Sequence, residues 1–320
     1  PLGGVFTATQ GLKTSWNTPL DERGIISMAM GIAMTGERCV AEIQFCDYIF
    51  NTIDLLKIAG NTNWVSHGNY TLPMVVMTPV GAGIRGSVYH SHSFDAWASR
   101  LTGWKVVMPS TPLDAYGLML SAVEDPNPVL FLKPKALMRV RGDDLIPGEP
   151  EDQRELKNMI DAPIGDRTRW KPKWPKLEGF KVPIGKAKVT RAGDQITVVS
   201  YGRHLLICNQ VADKLAKEGF SIEVIDLRSI YPYDWQTVKA SITKNRKVLF
   251  VNEDTEVTNF AEHLAYRATQ ELFYQLDAPP RVLAGKNLPG IGLHPNLEDN
   301  SVPQPSEIET AIRELVAEVP

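Results

Sequence analysis

The sequence predicts an α/β protein of two three-layer domains, each built on a parallel sheet. Short β-rich runs alternate with helical patterns of about 10–15 residues, the mark of strand–helix units whose sheets are covered on both faces. The alternation occurs twice, on either side of a stretch of different composition. A chain of 320 residues with 43% apolar and 22% charged residues is also long enough to bury two ordinary cores.

In the first stretch, Thr18 can cap a helix with Pro19 at its first position, burying Ile25, Met28/Ala29 and Ile32. Strands are predicted at Val40–Phe45, Met74–Pro79, Lys105–Pro109 and Pro128–Leu132. The helix Leu113–Val123 places Leu113, Tyr116/Gly117, Leu120 and Val123 on one face. In the second stretch, strands are predicted at Ile196–Tyr201, Ile222–Leu227 and Lys247–Val251. The helix Leu205–Lys217 carries Leu205, Cys208, Val211/Ala212 and Leu215 in one stripe. A last helix opens on Ser306-Glu307-Ile308-Glu309, a capping-box pattern, and buries Ile308, Ile312, Leu315 and Val319. Residues between the two stretches are rich in Pro, Lys, Asp and Trp and have little periodicity. They are predicted to be an interdomain linker with contacts of its own. The domains are thus 1–140 and 183–320, joined by the linker 141–182.

A formal net charge of −3, with both signs interspersed, gives no pull toward nucleic acid or an anionic membrane. No apolar run reaches the roughly 18 residues needed to cross a bilayer. Cys39, Cys46 and Cys208 show no metal-ligand spacing and read as free thiols in a reducing compartment. That points to the cytoplasm, with the mitochondrial matrix as the alternative. The opening Pro1-Leu2-Gly3-Gly4 resembles neither a signal nor a transit peptide and is expected to be a cut end.

Gly81-Ala82-Gly83-Ile84-Arg85-Gly86 matches G-x-G-x-x-G after a strand. A dinucleotide fold needs a helix opening within the motif and an acidic residue about 20 positions on, and neither occurs. The segment instead reads as a flexible loop at the carboxyl end of a strand, where open α/β sheets bind ligands. Directly after it, Tyr89-His90-Ser91-His92 offers two imidazoles, with no third metal ligand at sensible spacing. A histidine in a glycine-rich loop is a candidate for proton transfer because it titrates near neutrality. Asp21 and Glu22, at a helix start, read from the local pattern alone as complements to the helix dipole. Glu42-Ile43-Gln44-Phe45-Cys46-Asp47-Tyr48 reads alone as an ordinary strand-to-helix turn.

Taken in order, several segments resemble one family. They are Thr18-Pro19-Leu20 with Glu22 and Gly24, then Glu42-Ile43-Gln44-Phe45 with Asp47-Tyr48, then Gly83, Gly86 and Tyr89-His90-Ser91. Val106-Val107 with Pro109, Asp125 with Asn127-Pro128, and Asp226-Leu227-Arg228-Ser229-Ile230 with Pro232 and Asp234 continue the series. The chain is similar to the E1 β subunits of pyruvate and branched-chain 2-oxo acid dehydrogenases, more so to the branched-chain type. The resemblance implies a thiamine-diphosphate pyrimidine-binding domain followed by a transketolase C-terminal-like domain. It implies oxidative decarboxylation of a 2-oxo acid and acyl transfer to the lipoamide of an E2 acyltransferase core. By the same resemblance Glu22 holds the coenzyme's N1′ from a buried, apolar setting. His90 assists acyl transfer, and Leu20, Gln44 and Tyr48 line the aminopyrimidine pocket. Leu72, Met74, Val75, Ala122, Asp125 and Asn127 correspond to a structural potassium site. Such enzymes bind Mg²⁺ through a Gly-Asp-Gly segment and a later Asn. This chain has no Gly-Asp-Gly, Gly142-Asp143-Asp144 being the nearest approach, so the resemblance implies an α subunit that supplies those ligands in an α2β2 heterotetramer.

The chain also departs from the family pattern. The usual opening strand ending near Gly-Glu-Asp is missing, and the segment between Lys13 and Asn17 is short. Lys57–Asn63 replaces a usual helical segment, His92 stands where Gln is common, and Lys133 where Glu is common. His92 is expected to influence its neighbour His90. Two other readings stay open: a subunit of a split transketolase or deoxyxylulose-phosphate-synthase type of enzyme, and a catalytically idle E1-like assembly subunit.

Overall fold

The computed structural model describes residues 13–142, 144–161 and 171–319, and the opening segment read above as a cut end lies outside them. The first strands in chain order are β1 (Cys39–Glu42), β2 (Met74–Val80), β3 (Lys105–Val107) and β4 (Val129–Pro134). They are followed by β5 (Lys188–Arg191), β6 (Ile196–Ser200), β7 (Ile222–Asp226), β8 (Ser229–Tyr231), β9 (Val248–Thr255) and β10 (Arg281–Gly285). One five-stranded sheet has the order β1-β2-β4-β3-β8 and the other β10-β9-β6-β7-β5.

The all-parallel expectation needs correcting at two edges. β5 runs antiparallel to β7, and β8 runs antiparallel to β3. Alternation of apolar residues carries no strand direction, so the sequence could not reveal either pairing. β8 also crosses from the second half of the chain to complete the first sheet. Leu227 and Arg228 make the crossing, with Arg228 in the left-handed region at φ 56°. The stretch read as linker contains a helix, Gln153–Ile160, capped by Asp152.

Every residue of β2 is buried, as expected for a central strand covered on both faces. Successive side chains enter opposite cores because a strand alternates with period two. Met74 and Val76 pack with Ile26, Ala29, Leu56 and Trp104, whereas Val75 and Met77 pack with Leu118, Ala122 and Val182. The first of these cores continues into the second domain through Phe250, Val238 and Leu264. Full burial of one such side chain stabilises by about 1.5–3 kcal/mol, so a core spanning both sheets opposes their separation.

Several predicted helix details shift. The first helix is Glu22–Met34, capped by Asp21 rather than Thr18. Its buried row is Ile26, Ala29 and Ala33, one residue on from the expected row, and Met28 faces outward. The helix Pro112–Glu124 likewise buries Asp114, Gly117, Leu118 and Ala122. Both helices carry apolar residues around more than one face, so packing and not periodicity chose between adjacent rows. The helix Gly202–Ala216 buries Leu205, Cys208, Val211, Ala212 and Leu215 as predicted. The last helix, Pro305–Ala317, buries Ile308, Ile312 and Leu315, but its capping box joins Gln304 and Glu307. Val319 lies beyond it and is exposed. Lys57–Asn63 stays helical within Ile53–Val65.

At the crossing between sheets, the Arg228 guanidinium donates from Nη1 to Asp114 Oδ1 at 3.0 Å. Asp226 Oδ1 accepts from the Arg228 N–H at 3.0 Å, and its buried Oδ2 has no hydrogen-bond partner among the described residues. Burial, with repulsion from Asp114, pushes the Asp226 carboxyl up to about 7. A carboxyl raised in the folded state favours folding most below its unfolded value near 3.8 and loses that contribution as pH rises through about 7. We therefore expect Asp226→Asn to gain stability over the native chain between pH 4 and pH 8. The gain is on the order of a few kcal/mol and can be read from urea unfolding at each pH.

Candidate functional site

The loops leaving the carboxyl ends of the neighbouring strands β1 and β2 meet beside the start of the helix Glu22–Met34. After β1 the chain forms a short 3-10 turn, Cys46–Thr52, and after β2 it forms the glycine loop leading to His90. β1 ends at Glu42, short of the predicted Phe45, which leaves Gln44 and Phe45 in the loop.

His90 is held on four sides. Its Nδ1 lies 3.0 Å from the Gly86 carbonyl oxygen, which can only accept, so Nδ1 carries the proton. In the neutral ring Nε2 is then an acceptor, and the Tyr48 hydroxyl donates to it at 3.1 Å. The edge-on ring of Phe45 sits 4.3 Å from the imidazole, centroid to centroid. Lys135 donates to the His90 carbonyl oxygen. Gly86 allows this packing because a Cβ there would lie 2.6 Å from that same carbonyl.

Glu22 occupies the first turn of its helix and receives a hydrogen bond from Asn51 Nδ2 at 3.3 Å. It is half-buried, so the buried, apolar setting expected for it is not present in the single chain. Asn51 and Tyr48 lie on the same 3-10 turn, which thereby links Glu22 to His90. Leu20 is 72% exposed beside the helix cap, and Gln44 is half-buried just ahead of the turn. Glu22, Tyr48 and His90 are thus gathered about one turn, with Leu20 and Gln44 flanking it. Asn51, Phe45 and Lys135 complete the site. Phe45 lies inside the segment singled out from the sequence, but Asn51 and Lys135 carry no local signal.

His92 turns away from His90. Its Nδ1 meets Asp47 Oδ1 at 3.0 Å and its ring stacks on Phe94, so an influence on His90 through direct contact is absent among the described residues. Lys133 reaches Glu42 Oε1 at 3.3 Å across β2. Burial pushes its ammonium down to about 8, against the opposing pull of Glu42.

The positions compared with a potassium site gather at the opposite, amino-terminal edge of the first sheet. The Leu72 carbonyl accepts from Met74 N at 2.8 Å, and the Ala122 carbonyl accepts from Asp125 N at 3.3 Å. Val75 pairs with Val129, just past Asn127. Asp125 Oδ1 accepts from Asn127 N and Nδ2 at 3.0 and 3.1 Å, and its Oδ2 is paired with the Lys105 ammonium.

The two halves match two known domain families. Residues 2–141 match the transketolase pyrimidine-binding domain, and residues 185–308 match the transketolase C-terminal domain. The chain is 37% identical over 320 residues to the 2-oxoisovalerate dehydrogenase subunit beta of Bacillus subtilis (strain 168), covering 98% of this chain and 89% of that one. It is 34% identical over 320 residues to the pyruvate dehydrogenase E1 component subunit beta of Acholeplasma laidlawii, covering 98% and 88%. The chain belongs to the E1 β subunit family. A split-gene transketolase in an inactive β4 tetramer aligns with a TM-score of 0.64 over 95% of this chain and 84% of that one. At 15% identity that likeness speaks for the fold alone.

Removing the Tyr48 hydroxyl leaves the Gly86 bond intact and frees Nε2. A hydrogen bond of this kind contributes about 1 kcal/mol, so Tyr48→Phe is expected to raise carbethoxylation of His90 about fivefold, read by mass spectrometry of the labelled peptide.

Proposed function

We propose that this chain is the β half of a thiamine-diphosphate-dependent E1 that decarboxylates a 2-oxo acid, preferably a branched one, and passes the acyl group to lipoamide on an E2 core. The observation that carries this reading is the gathering of Glu22, Tyr48 and His90 about the Cys46–Thr52 turn, in a chain resembling E1 β subunits over nearly its full length.

Glu22 fits the coenzyme. Its Oε2 has one donor, Asn51, and no hydrogen bond to Oε1 occurs among the described residues, so Oε1 can share a proton with the ring nitrogen N1′. Closure of a partner subunit over this half-buried carboxyl would exclude water and favour its protonated form. Thiamine diphosphate, when bound, supplies the electron sink for loss of carbon dioxide. Leu20 and Gln44 orient the aminopyrimidine, and Tyr48 does so while holding His90 Nε2. His90 keeps its proton on Nδ1, and its Nε2, which accepts from Tyr48 at rest, takes a proton during acyl transfer once that hydroxyl gives way.

The chain has no Gly-Asp-Gly segment, so we assign the Mg²⁺ and diphosphate ligands to an α subunit and the working enzyme to an α2β2 heterotetramer. The carbonyl, carboxylate and amide oxygens of Leu72, Met74, Val75, Ala122, Asp125 and Asn127 suit a potassium ion, which would compete with Lys105 for Asp125. At that edge, away from His90, such an ion would have a structural task. No helix among the described residues is long and apolar enough to cross a membrane. The free cysteines favour a reducing compartment, the cytoplasm or else the mitochondrial matrix.

The test is co-expression with the α subunit and assay of pyruvate against branched 2-oxo acids, with and without thiamine diphosphate. Glu22→Gln is expected to lower decarboxylation by at least about 10²-fold while the heterotetramer still assembles. Full turnover by that variant would exclude the assignment of Glu22. Assembly without any turnover by the native complex would favour the idle-subunit reading. His92→Gln leaves the contacts of His90 untouched and is expected to keep turnover within about threefold, read in the same assay.

A further inference from the structure

The loop that carries His90 is held by the other domain. Gly81, Gly83, Arg85 and Ser87 have φ of 89°, 95°, 58° and 65°, so left-handed residues alternate along it. Such alternation turns backbone N–H groups toward one side, a shape that cradles an anion. Here the anions belong to the chain itself. Gly83 N and Arg85 N each donate to Glu298 Oε1 at 2.9 Å, and Arg85 N also reaches Oε2 at 3.2 Å. Ala82 N donates to Glu253 Oε2 at 2.9 Å. The fit is close, because a Cβ on Gly81 would lie 2.3 Å from Glu253 Oε1.

Both carboxylates are buried, with 4% exposure for Glu298 and 7% for Glu253. Glu253 has Arg203 at 3.9 Å. Glu298 has no ion-pair partner within 4.0 Å among the described residues, so the loop's amides are its nearest balancing groups, with the Lys135 charge acting from farther off. If the loop relaxed, a buried carboxylate would lose its donors, and such a loss is costly. On the path these bonds define, the Gly86 carbonyl lies 3.0 Å from His90 Nδ1.

We propose that Glu298 is a positioning residue for His90, setting its tautomer from the second domain through the glycine loop. The part that concerns catalysis rests on the acyl-transfer role proposed for His90.

The experiment uses the assembled α2β2 complex carrying Glu298→Gln, a change that keeps the side chain's size but removes its charge and turns one acceptor into a donor. Three quantities are read: amide exchange of residues 81–92, acyl transfer to an isolated lipoyl domain against decarboxylation with an artificial electron acceptor, and the pH profile of acyl transfer. The expected result is exchange about tenfold faster in the loop and acyl transfer down about tenfold, with a displaced pH profile and a smaller change in decarboxylation. Faster exchange with unaltered acyl transfer and pH profile would overturn the proposal, as would unchanged exchange. If Glu298→Gln does not assemble, Glu253→Gln, which weakens the Ala82 bond and the pairing with Arg203 but leaves the Gly83 and Arg85 bonds in place, decides by the same readouts with smaller changes in the same direction. A native complex without thiamine-dependent turnover would overturn the proposed function instead, and loop exchange would still decide whether Glu298 holds the loop.

Discussion

The arrangement of the site depends on the hydrogen bond from His90 Nδ1 to the Gly86 carbonyl. An imidazole with one nitrogen committed to a carbonyl has a defined tautomer, and its other nitrogen is left to accept. The Tyr48 hydroxyl can then donate to Nε2, and the 3-10 turn that bears Tyr48 also brings Asn51 to Glu22. One backbone oxygen thus decides which ring nitrogen of His90 donates and which accepts. That oxygen belongs to a loop whose left-handed residues have little preference of their own for this path, and buried carboxylates hold it there.

The junction between domains serves the same end. β8 leaves the second half of the chain to complete the first sheet, and Arg228 pairs with Asp114 beside the crossing. An apolar core continuous through both sheets supplies the adhesion, while polar contacts supply the register. Among these, Asp254 accepts from Ala96 N at 3.0 Å, next to the fully buried Asp95. Burial pushes Asp254 up to about 6, and burial with repulsion from Asp254 drives Asp95 well above the usual carboxyl range. Burial and mutual repulsion thus favour the protonated form of these carboxyls. The junction is therefore specific as well as adhesive.

The departures from the E1 β pattern find local partners. His92 pairs with Asp47 and stacks on Phe94, which draws it away from His90. Lys133 faces Glu42 across β2, so a position where the family commonly carries an acid here gives an oppositely charged pair. Neither substitution disturbs the contacts that hold His90.

The two runs of strands and helices are legible along the chain, because period-two and period-3.6 burial is a local signal. So are the stripe Leu205–Leu215, the burial of Ile308, Ile312 and Leu315, and, through ordered motifs, the candidacy of Glu22, Tyr48 and His90. Which of two adjacent apolar rows each early helix buries was settled by packing, since both rows satisfied the same periodicity. Packing likewise set the antiparallel edges, the passage of β8 into the first sheet, and the contact of Glu298 with a loop some two hundred residues earlier in the chain. These depend on groups that meet only after folding. A hydrogen bond between distant residues is set by three-dimensional distance, and no local pattern records it.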